Sequence, residues 1–469
     1  MLFSSGSHTG KLMHGCMVVG EGHGEGTSGL GLHAAQDIKN GQVLFQEQPL
    51  AFIQSQWNAR VAATCLSCGQ ALGGDLRQCL ATVLDGVGQA DPGLEAYPHL
   101  RQEADTLYAP HLMLPTAHLC PKHCCSTNDP TGCRAAFCSS RCQDAQLLAG
   151  HHRILCLDLP TEHRSAWQAF QEHSTRYCET FILAAEVIAQ IVAEVVHGGA
   201  TLEESTARYA HFIGKPWPDI VTSKNAVLQE SWKKRRWEVL LESHALLETV
   251  LSSSVTESLK YLCTVDFYAC MVGMLDLVSK DLERPNPLDG MLRAQAMPVR
   301  ALTDLRKISV LWARARLADQ EQQSPTSPES SEDTGDASEE EVAGEVPAQE
   351  QSQRDPGCVN LVQVADRLST LPVLPGFAGF GLVASVALMN HSCDENVSVN
   401  VNKDTLLVTG KAIRDIGKGE ELFMAYVDTT KKRAWRQRYL QKSYGFLCHC
   451  SRCSREATRS ICDTAQREQ

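Results

Sequence analysis

Gly419-Glu420-Glu421-Leu422-Phe423-Met424-Ala425-Tyr426 decides the reading of this 469-residue chain. It stands behind Leu388-Met389-Asn390-His391-Ser392-Cys393 and ahead of Tyr444-Gly445-Phe446-Leu447-Cys448-His449-Cys450-Ser451-Arg452-Cys453. Taken alone, a Tyr closing an apolar run is an ordinary cap on a core strand. The order lifts it above that: an Asn-His pair, then the Tyr, then a C-x-C-x2-C group offering three thiolates where tetrahedral zinc wants four. Cys393 has two readings, a small buried residue or the fourth ligand beside Cys448, Cys450 and Cys453.

The 20 cysteines of the chain point the same way. Disulfide scaffolds are usually short secreted chains, and Met1 to Gly10 has no apolar signal core, so thiolate metal sites in a reducing compartment are the better reading. Cys65 and Cys68 form a C-x2-C, Cys138 and Cys142 a C-x3-C, and His152 and Cys156 an H-x3-C. Such spacings let two side chains reach one ion. Between them lie Cys120, Cys124, Cys125 and Cys133, of which two complete eight ligands for two zinc ions. Isolated Cys178, Cys263 and Cys270 read as core packing.

The paired segment resembles a MYND zinc finger. That family interleaves its ligand pairs, which implies Cys65, Cys68, Cys138 and Cys142 on one zinc, and Cys133, His152 and Cys156 on the other. The missing ligand is Cys124, Cys120 or Cys125, with Cys124 preferred. The C-terminal motifs resemble a SET domain with its post-SET zinc group, and Gly29-Leu30-Gly31-Leu32 matches that family's first cofactor strand. A SET domain interrupted by a MYND finger is the layout of the SET and MYND domain-containing methyltransferases. Gln54-Ser55-Gln56-Trp57-Asn58-Ala59, and the sixteen residues after Cys453, resemble the branch without a long C-terminal helical domain.

The resemblance implies an α+β fold, a β-rich SET domain interrupted by the finger and a helical insertion and closed by the post-SET motif. Its expected parts are the N-terminal SET portion (15–64), the finger with its insertion (65–156), a helical region (157–316), a disordered acidic insertion (317–356), the C-terminal SET core (357–430), the post-SET segment (431–454) and a tail (455–469). Residues 29–53 read as a β-hairpin around Asn40-Gly41. Val397–Val401 and Thr405–Ile413 read as strands joined by a turn at Asn402-Lys403-Asp404.

Bulk features exclude other classes. The net charge is -12, and Asp319 to Glu350 carries eleven acidic residues with no Lys or Arg, which leaves the remainder near neutral and without a broad basic face for nucleic acid. Two apolar stretches fail as membrane spans. Phe181–Val196 places Glu186, Gln190 and Glu194 on one helical stripe, and Leu371–Met389 contains Pro372, Pro375, Gly376, Gly379 and Gly381. Lys233-Lys234-Arg235-Arg236 reads as a solvated helix face.

By resemblance the activity is S-adenosyl-L-methionine-dependent methylation of protein lysines, on histone tails or ribosomal and cytosolic proteins, with three zinc ions. Tyr426 is then the catalytic residue. Gly29, Leu30, Gly31, Leu32, Asn390, His391, Tyr426 and Phe446 hold the cofactor, and Tyr444 joins the wall of an apolar lysine channel. Cys393, Cys448, Cys450 and Cys453 bind the third zinc. A proline-rich peptide is the expected partner of the finger, with no nucleic acid or membrane, in a monomeric, cytoplasmic protein whose nuclear entry is open. The rival reading is a silent adaptor built on the finger. Two details depart from the family: Glu395 stands where Pro commonly precedes Asn396, and Asn286 only weakly matches a further cofactor contact and stays outside the site.

Overall fold

A computed structural model describes residues 12–13, 16–21, 30–73, 79, 82–83, 114–122, 133–209, 212, 215–220, 226–289, 307 and 374–458. The expected acidic insertion and Gly29 lie outside these residues.

Strands β1 (Leu12–Met13), β2 (Met17–Glu21) and β3 (Leu30–Ala34) form an antiparallel sheet. The sequence continues through β4 (Val43–Glu47) and β5 (Ala51–Gln54) into α1 (Gln56–Val61). Asn40-Gly41 does turn the chain, with Gly41 at φ +85°, but β3 and β4 do not make the expected hairpin. β3 pairs with β2, β4 pairs with the distant β12, and β5 with β9. Ile38, inside the connection, bridges to Ile416, so long-range partners claim both strands and Pro49 separates β4 from β5.

The finger contributes a short hairpin, β6 (His118–Leu119) with β7 (Ala136–Phe137), and α2 (Ser140–Leu148). A helical lobe follows, with α3 (Arg164–Tyr177), α4 (Thr180–Val196), α5 (Leu202–Ala207), α6 (Ala226–Leu251) and α7 (Val265–Val278). It leads into β8 (Lys280–Arg284). After residue 373 come β9 (Phe377–Leu382), α8 (Ala384–Ala387), β10 (Asn390–His391), β11 (Val397–Val401), β12 (Val408–Ala412), β13 (Phe423–Met424) and α9 (Arg433–Tyr444), with a last helix over 451–458.

Three antiparallel sheets, β1-β2-β3, β5-β9-β8 and β11-β12-β4, surround the parallel pair β10-β13. Here β11 and β12 form a true hairpin in register Val397↔Ala412 to Val401↔Val408. Its turn is closed by the Asn402 side chain, which accepts from the Asp404 N–H at 2.8 Å, the geometry that makes Asn a turn former.

One apolar core runs through sheets and helices, from Met17, Leu32 and Phe45 to Phe181, Ile188, Tyr268, Leu382, Met389 and Leu422. The apolar face of α4 is buried in it. The Glu186-Gln190-Glu194 stripe is spent on neighbours: Gln190 accepts the His151 N–H at 2.9 Å and donates to the Ala149 carbonyl at 3.1 Å, while Glu194 pairs with Arg208. Of the basic run, Lys233 pairs with Asp219 and Arg235 with Glu238. Arg236 departs from the solvated reading, since it is buried with its guanidinium 3.7 Å from the Trp217 ring centre and 3.5 Å from Asp276. Among the described residues no single helix is long and apolar enough to cross a membrane.

The finger is fixed to the sheets by polar contacts. Buried Asn58 donates to the Gly376 carbonyl and accepts the Ala378 N–H, each at 3.0 Å. Gln54 accepts from Thr64 at 2.7 Å, and Arg284 donates to the Cys68 carbonyl at 3.0 Å. Gly69 sits at φ +68°, where a side chain would press on Leu406 and Phe377, so the knuckle rests directly on the core.

Candidate active site and zinc centres

Three groups of ligand side chains converge among the described residues, each with its donor atoms within 4.8 Å of one another. They are Cys65, Cys68, Cys138 and Cys142; Cys120, Cys133, His152 and Cys156; and Cys393, Cys448, Cys450 and Cys453. Thiolates held about 2.3 Å from a tetrahedral ion stand roughly 3.8 Å apart. The Sγ–Sγ separations are of that size: 3.6 Å for Cys68–Cys138, Cys138–Cys142 and Cys453–Cys393, and 3.7 Å for Cys120–Cys156. Cys133 Sγ lies 3.5 Å from His152 Nε2. A disulfide requires about 2.05 Å, so these are metal-shaped clusters whose donors suit zinc.

Local folding explains each group. Ser139 caps α2 by accepting the Cys142 N–H at 3.3 Å, which sets Cys138 and Cys142 on either side of a helix start. β6, just before Cys120, and its partner β7 bring the second group together, with the Cys120 N–H donating to the Ala135 carbonyl at 3.1 Å. His152 precedes and Cys156 sits within a widened π-type turn over Arg153–Leu157, the kind of irregularity that concentrates at functional sites. Cys124, the preferred ligand from sequence, lies outside the described residues, as does Cys125. The described geometry gives that place to Cys120, whose sulfur is buried and accepts the Lys122 N–H at 3.4 Å.

In each group one thiol is held far below its ordinary range because it accepts a hydrogen bond from a partner thiol. Cys68, bonded by Cys65, falls to about 5; Cys133, bonded by Cys156, to about 4; Cys448, bonded by Cys393, to about 2. The thiolate is the metal-binding form, and in each pair the accepting thiol is shifted toward it while its donor is shifted away. Around the third group, Arg436 is almost fully buried and donates to Cys393 Sγ at 3.2 Å and to Cys453 Sγ at 3.6 Å. Glu456 accepts from it at 2.7 Å.

The third group adjoins the Tyr426 site. The Tyr426 main-chain N–H donates to His391 Nδ1 at 3.0 Å. An N–H can only donate, so Nδ1 is unprotonated and the neutral imidazole carries its proton on Nε2, which faces Cys393 Sγ at 3.4 Å. A single imidazole therefore spans from zinc ligand to catalytic candidate. The Tyr426 phenol donates to the Met389 carbonyl at 2.6 Å. Burial, with the Tyr444 hydroxyl and Glu421 carboxylate nearby, raises this phenol above its ordinary value. It is a neutral hydroxyl at physiological pH and no base.

Aromatic rings cluster beside it. Tyr444 stands 4.9 Å from Tyr426, and Phe446 stands 6.0 Å from His391 and 6.3 Å from Tyr444. Burial, then the nearby Tyr439 and Asp281, pushes the Tyr444 phenol up to about 12. Asn390 closes the other side, with its amide nitrogen donating to the Leu30 carbonyl at 2.9 Å and to Glu421 at 2.8 Å. The carbonyl cannot donate, which fixes the amide orientation with Nδ2 on Leu30 and Glu421.

β3 reaches this site from the far end of the sequence. The Ala34 N–H donates to the Glu420 carbonyl at 2.8 Å, and the Leu422 N–H to the Leu32 carbonyl at 2.7 Å. Leu30, Gly31 and Leu32 are thus gathered with Asn390, His391 and Tyr426. Two contributors were not foreseen. Glu421, buried, holds Asn390. Asn396, fully buried, accepts the Phe423 N–H and donates to the Glu421 carbonyl, both at 2.8 Å. The absence of Pro before Asn396 leaves this pairing intact. Asn286 instead accepts the Leu288 N–H at 3.0 Å, a turn role.

A family model for the SET domain matches residues 296–427, covering β9 to Tyr426. That segment is similar to a SET domain. The chain is similar to human "Histone-lysine N-methyltransferase SMYD3", 44% identical over 75 residues, which is 16% of this chain and 17% of that one. "Histone-lysine N-methyltransferase set5" of Schizosaccharomyces pombe is 40% identical over 82 residues, covering 17% and 26%. "SET domain and MYND-type zinc finger protein 6" of the same yeast is 34% identical over 93 residues, covering 19% of each. The matched stretches thus span between 17% and 26% of these relatives' lengths. The SET core is α+β, with the three Cys-rich groups arranged about it.

Proposed function

We propose that this protein is a protein-lysine N-methyltransferase using S-adenosyl-L-methionine, with Tyr426 at its transfer point. The observation carrying this is the convergence of the Tyr426 phenol, the Met389 carbonyl, Asn390 and the rings of Tyr444 and Phe446 in one aromatic cluster. The similarity to histone-lysine methyltransferases supports it.

The residues fit the cofactor: Oδ1 of Asn390 suits its ammonium, and Phe446 offers a face to its apolar parts. Bound S-adenosylmethionine supplies an electrophilic methyl group, and attack on it needs a neutral lysine amine. A lysine in water has a pKa of about 10.4. The walls of Tyr426, Tyr444 and Phe446 disfavour the ammonium, so the amine sheds its proton to water at the mouth before it is seated. The Tyr426 proton is committed to Met389, which leaves the phenol lone pairs to accept an amine N–H and aim the nitrogen lone pair along the channel. Positioning and desolvation carry the rate.

In this reading three zinc ions are structural, and the third supports His391 through Cys393. Histone tails and ribosomal or cytosolic proteins are the substrate candidates, the finger takes a proline-rich peptide, and the protein is a cytoplasmic monomer. The test is labelled methyl transfer by the zinc-loaded protein to histones and to a cytosolic extract, with the modified residue mapped. Labelled lysine lost in Tyr426→Phe supports the reading. Cofactor binding with no labelled acceptor overturns it in favour of an adaptor.

A further inference from the structure

The segment from Lys431 to Lys442 contains six basic residues and no acidic one in a chain of net charge -12. On α9 the buried face is Arg436 and Leu440. The opposite face exposes Lys432, Trp435, Arg438, Tyr439 and Lys442, positions three and four apart that share one side of a helix. Trp435 and Tyr439 are 43% and 42% exposed and stack with ring centres 5.2 Å apart, forming an apolar platform inside a ring of cations.

Two facts separate this face from an ordinary solvated one. The basic run on α6 is matched internally, with Lys233 on Asp219, Arg235 on Glu238 and Arg236 on Asp276. On α9 only Lys431 meets a carboxylate, Asp428 at 3.8 Å, besides buried Arg436 with Glu456. The cations around the aromatic pair have no such match among the described residues. The helix also ends in Tyr444, which turns to the opposite, packed side and meets Tyr426, so the outer face lies one helix thickness away from the channel wall.

We infer that the outer face of α9 docks an acidic segment of the substrate protein, carrying an apolar residue that sits on Trp435 and Tyr439, close in sequence to the lysine that enters the channel. This rests on the methyltransferase reading. Along the helix axis Trp435 lies roughly 13 Å from Tyr444, and passing round a helix about 10 Å across makes the path about 21 Å, a distance covered by about six or seven residues of extended peptide. The acidic cluster therefore stands several residues from the target lysine. Such a rim of charge sets substrate capture and specificity rather than the chemical step.

The test uses the full zinc-loaded chain and two synthetic peptides, each with one lysine, then seven residues, then a block containing Phe among either glutamates or glutamines. A fluorescent lysine-free version of the glutamate block measures docking independently of methyl transfer. The variant is Lys432→Glu/Arg438→Glu/Lys442→Glu. Expected are a KM about tenfold lower for the glutamate peptide at equal kcat, and salt-sensitive binding of the probe. In the variant both the preference and the binding disappear, while kcat on the glutamine peptide is unchanged. Equal KM for the two peptides, or a preference that survives in the variant, overturns the inference. So does tight binding of oligo-thymidine with none of the probe, which marks a nucleic-acid face. If neither peptide is methylated, the methyltransferase reading is what fails, and probe binding still decides whether α9 docks acidic chains.

Discussion

The Tyr426 hydroxyl and the Met389 carbonyl face each other at 2.6 Å, and this contact fixes where the phenol lone pairs point. Tyr426→Phe removes the oxygen and keeps the ring. Methyl-transfer turnover is expected to fall about a hundredfold or more, the scale of losing one well-placed polar group at a reacting centre. Zinc content stays the same, and the stability loss is about 1 kcal/mol, one neutral hydrogen bond. Radiolabelled transfer, metal analysis and thermal melts on one preparation check this.

The raised Tyr426 phenol has a pH signature. Because its value moves up, the hydroxyl keeps its proton through the range in which an ordinary tyrosine ionises. The substrate amine gains its neutral form as pH rises toward about 10.4. Activity is therefore expected to climb steadily from pH 7 to pH 10 with no falling limb from Tyr426. A bell with a descending arm below pH 10, in a range where melts show the fold intact, contradicts the neutral-phenol assignment.

Arg436 faces two sulfurs of the third zinc group and one carboxylate. Arg436→Met leaves Glu456 and the thiolates without their cation in a buried place, a loss of about 3–5 kcal/mol. The variant is expected to hold one zinc fewer than the parent protein and to lose methyl transfer, with the two finger sites still filled. Metal stoichiometry by mass spectrometry, with stepwise chelator release, separates the sites.

Asn396 both accepts from Phe423 and donates to Glu421. Asn396→Asp keeps the acceptor and removes the donor, while burying a charge. It is expected to destabilise by roughly 2–4 kcal/mol, more than Asn396→Ser. Denaturant melts of the two variants rank them, and the reverse order counts against the buried donor role.

The metal clusters were readable in the sequence because ligand geometry is local: C-x2-C and C-x3-C bring two sulfurs to one ion whatever the rest of the chain does. The same locality explains the uncertainty at the second site. Cys120, Cys124 and Cys125 have similar spacing, and only the pairing of Cys120 with Ala135 separates them. Strand partners were less legible. Residues 29–53 carry a sound turn at Gly41, yet β4 belongs to β12, and nothing nearby in sequence encodes that choice. Glu421 and Asn396 look like ordinary polar residues until burial exposes their roles. Arg236 in the basic run looked solvated until two tryptophans were found around it.

On the methyltransferase reading proposed above, the union of β3 with the Glu420–Leu422 stretch also dictates when the site can assemble during synthesis. The finger and most of the helical lobe emerge from the ribosome early and have partners at hand, so they can acquire metal and collapse while translation continues. The catalytic cavity must wait, because its first wall is made near residue 30 and its last near residue 453. Such widely separated contacts close slowly, and until they do the nascent chain carries loaded zinc knuckles around a half-built pocket. A premature stop a few dozen codons from the end would thus yield a metal-binding protein with no place to put a lysine.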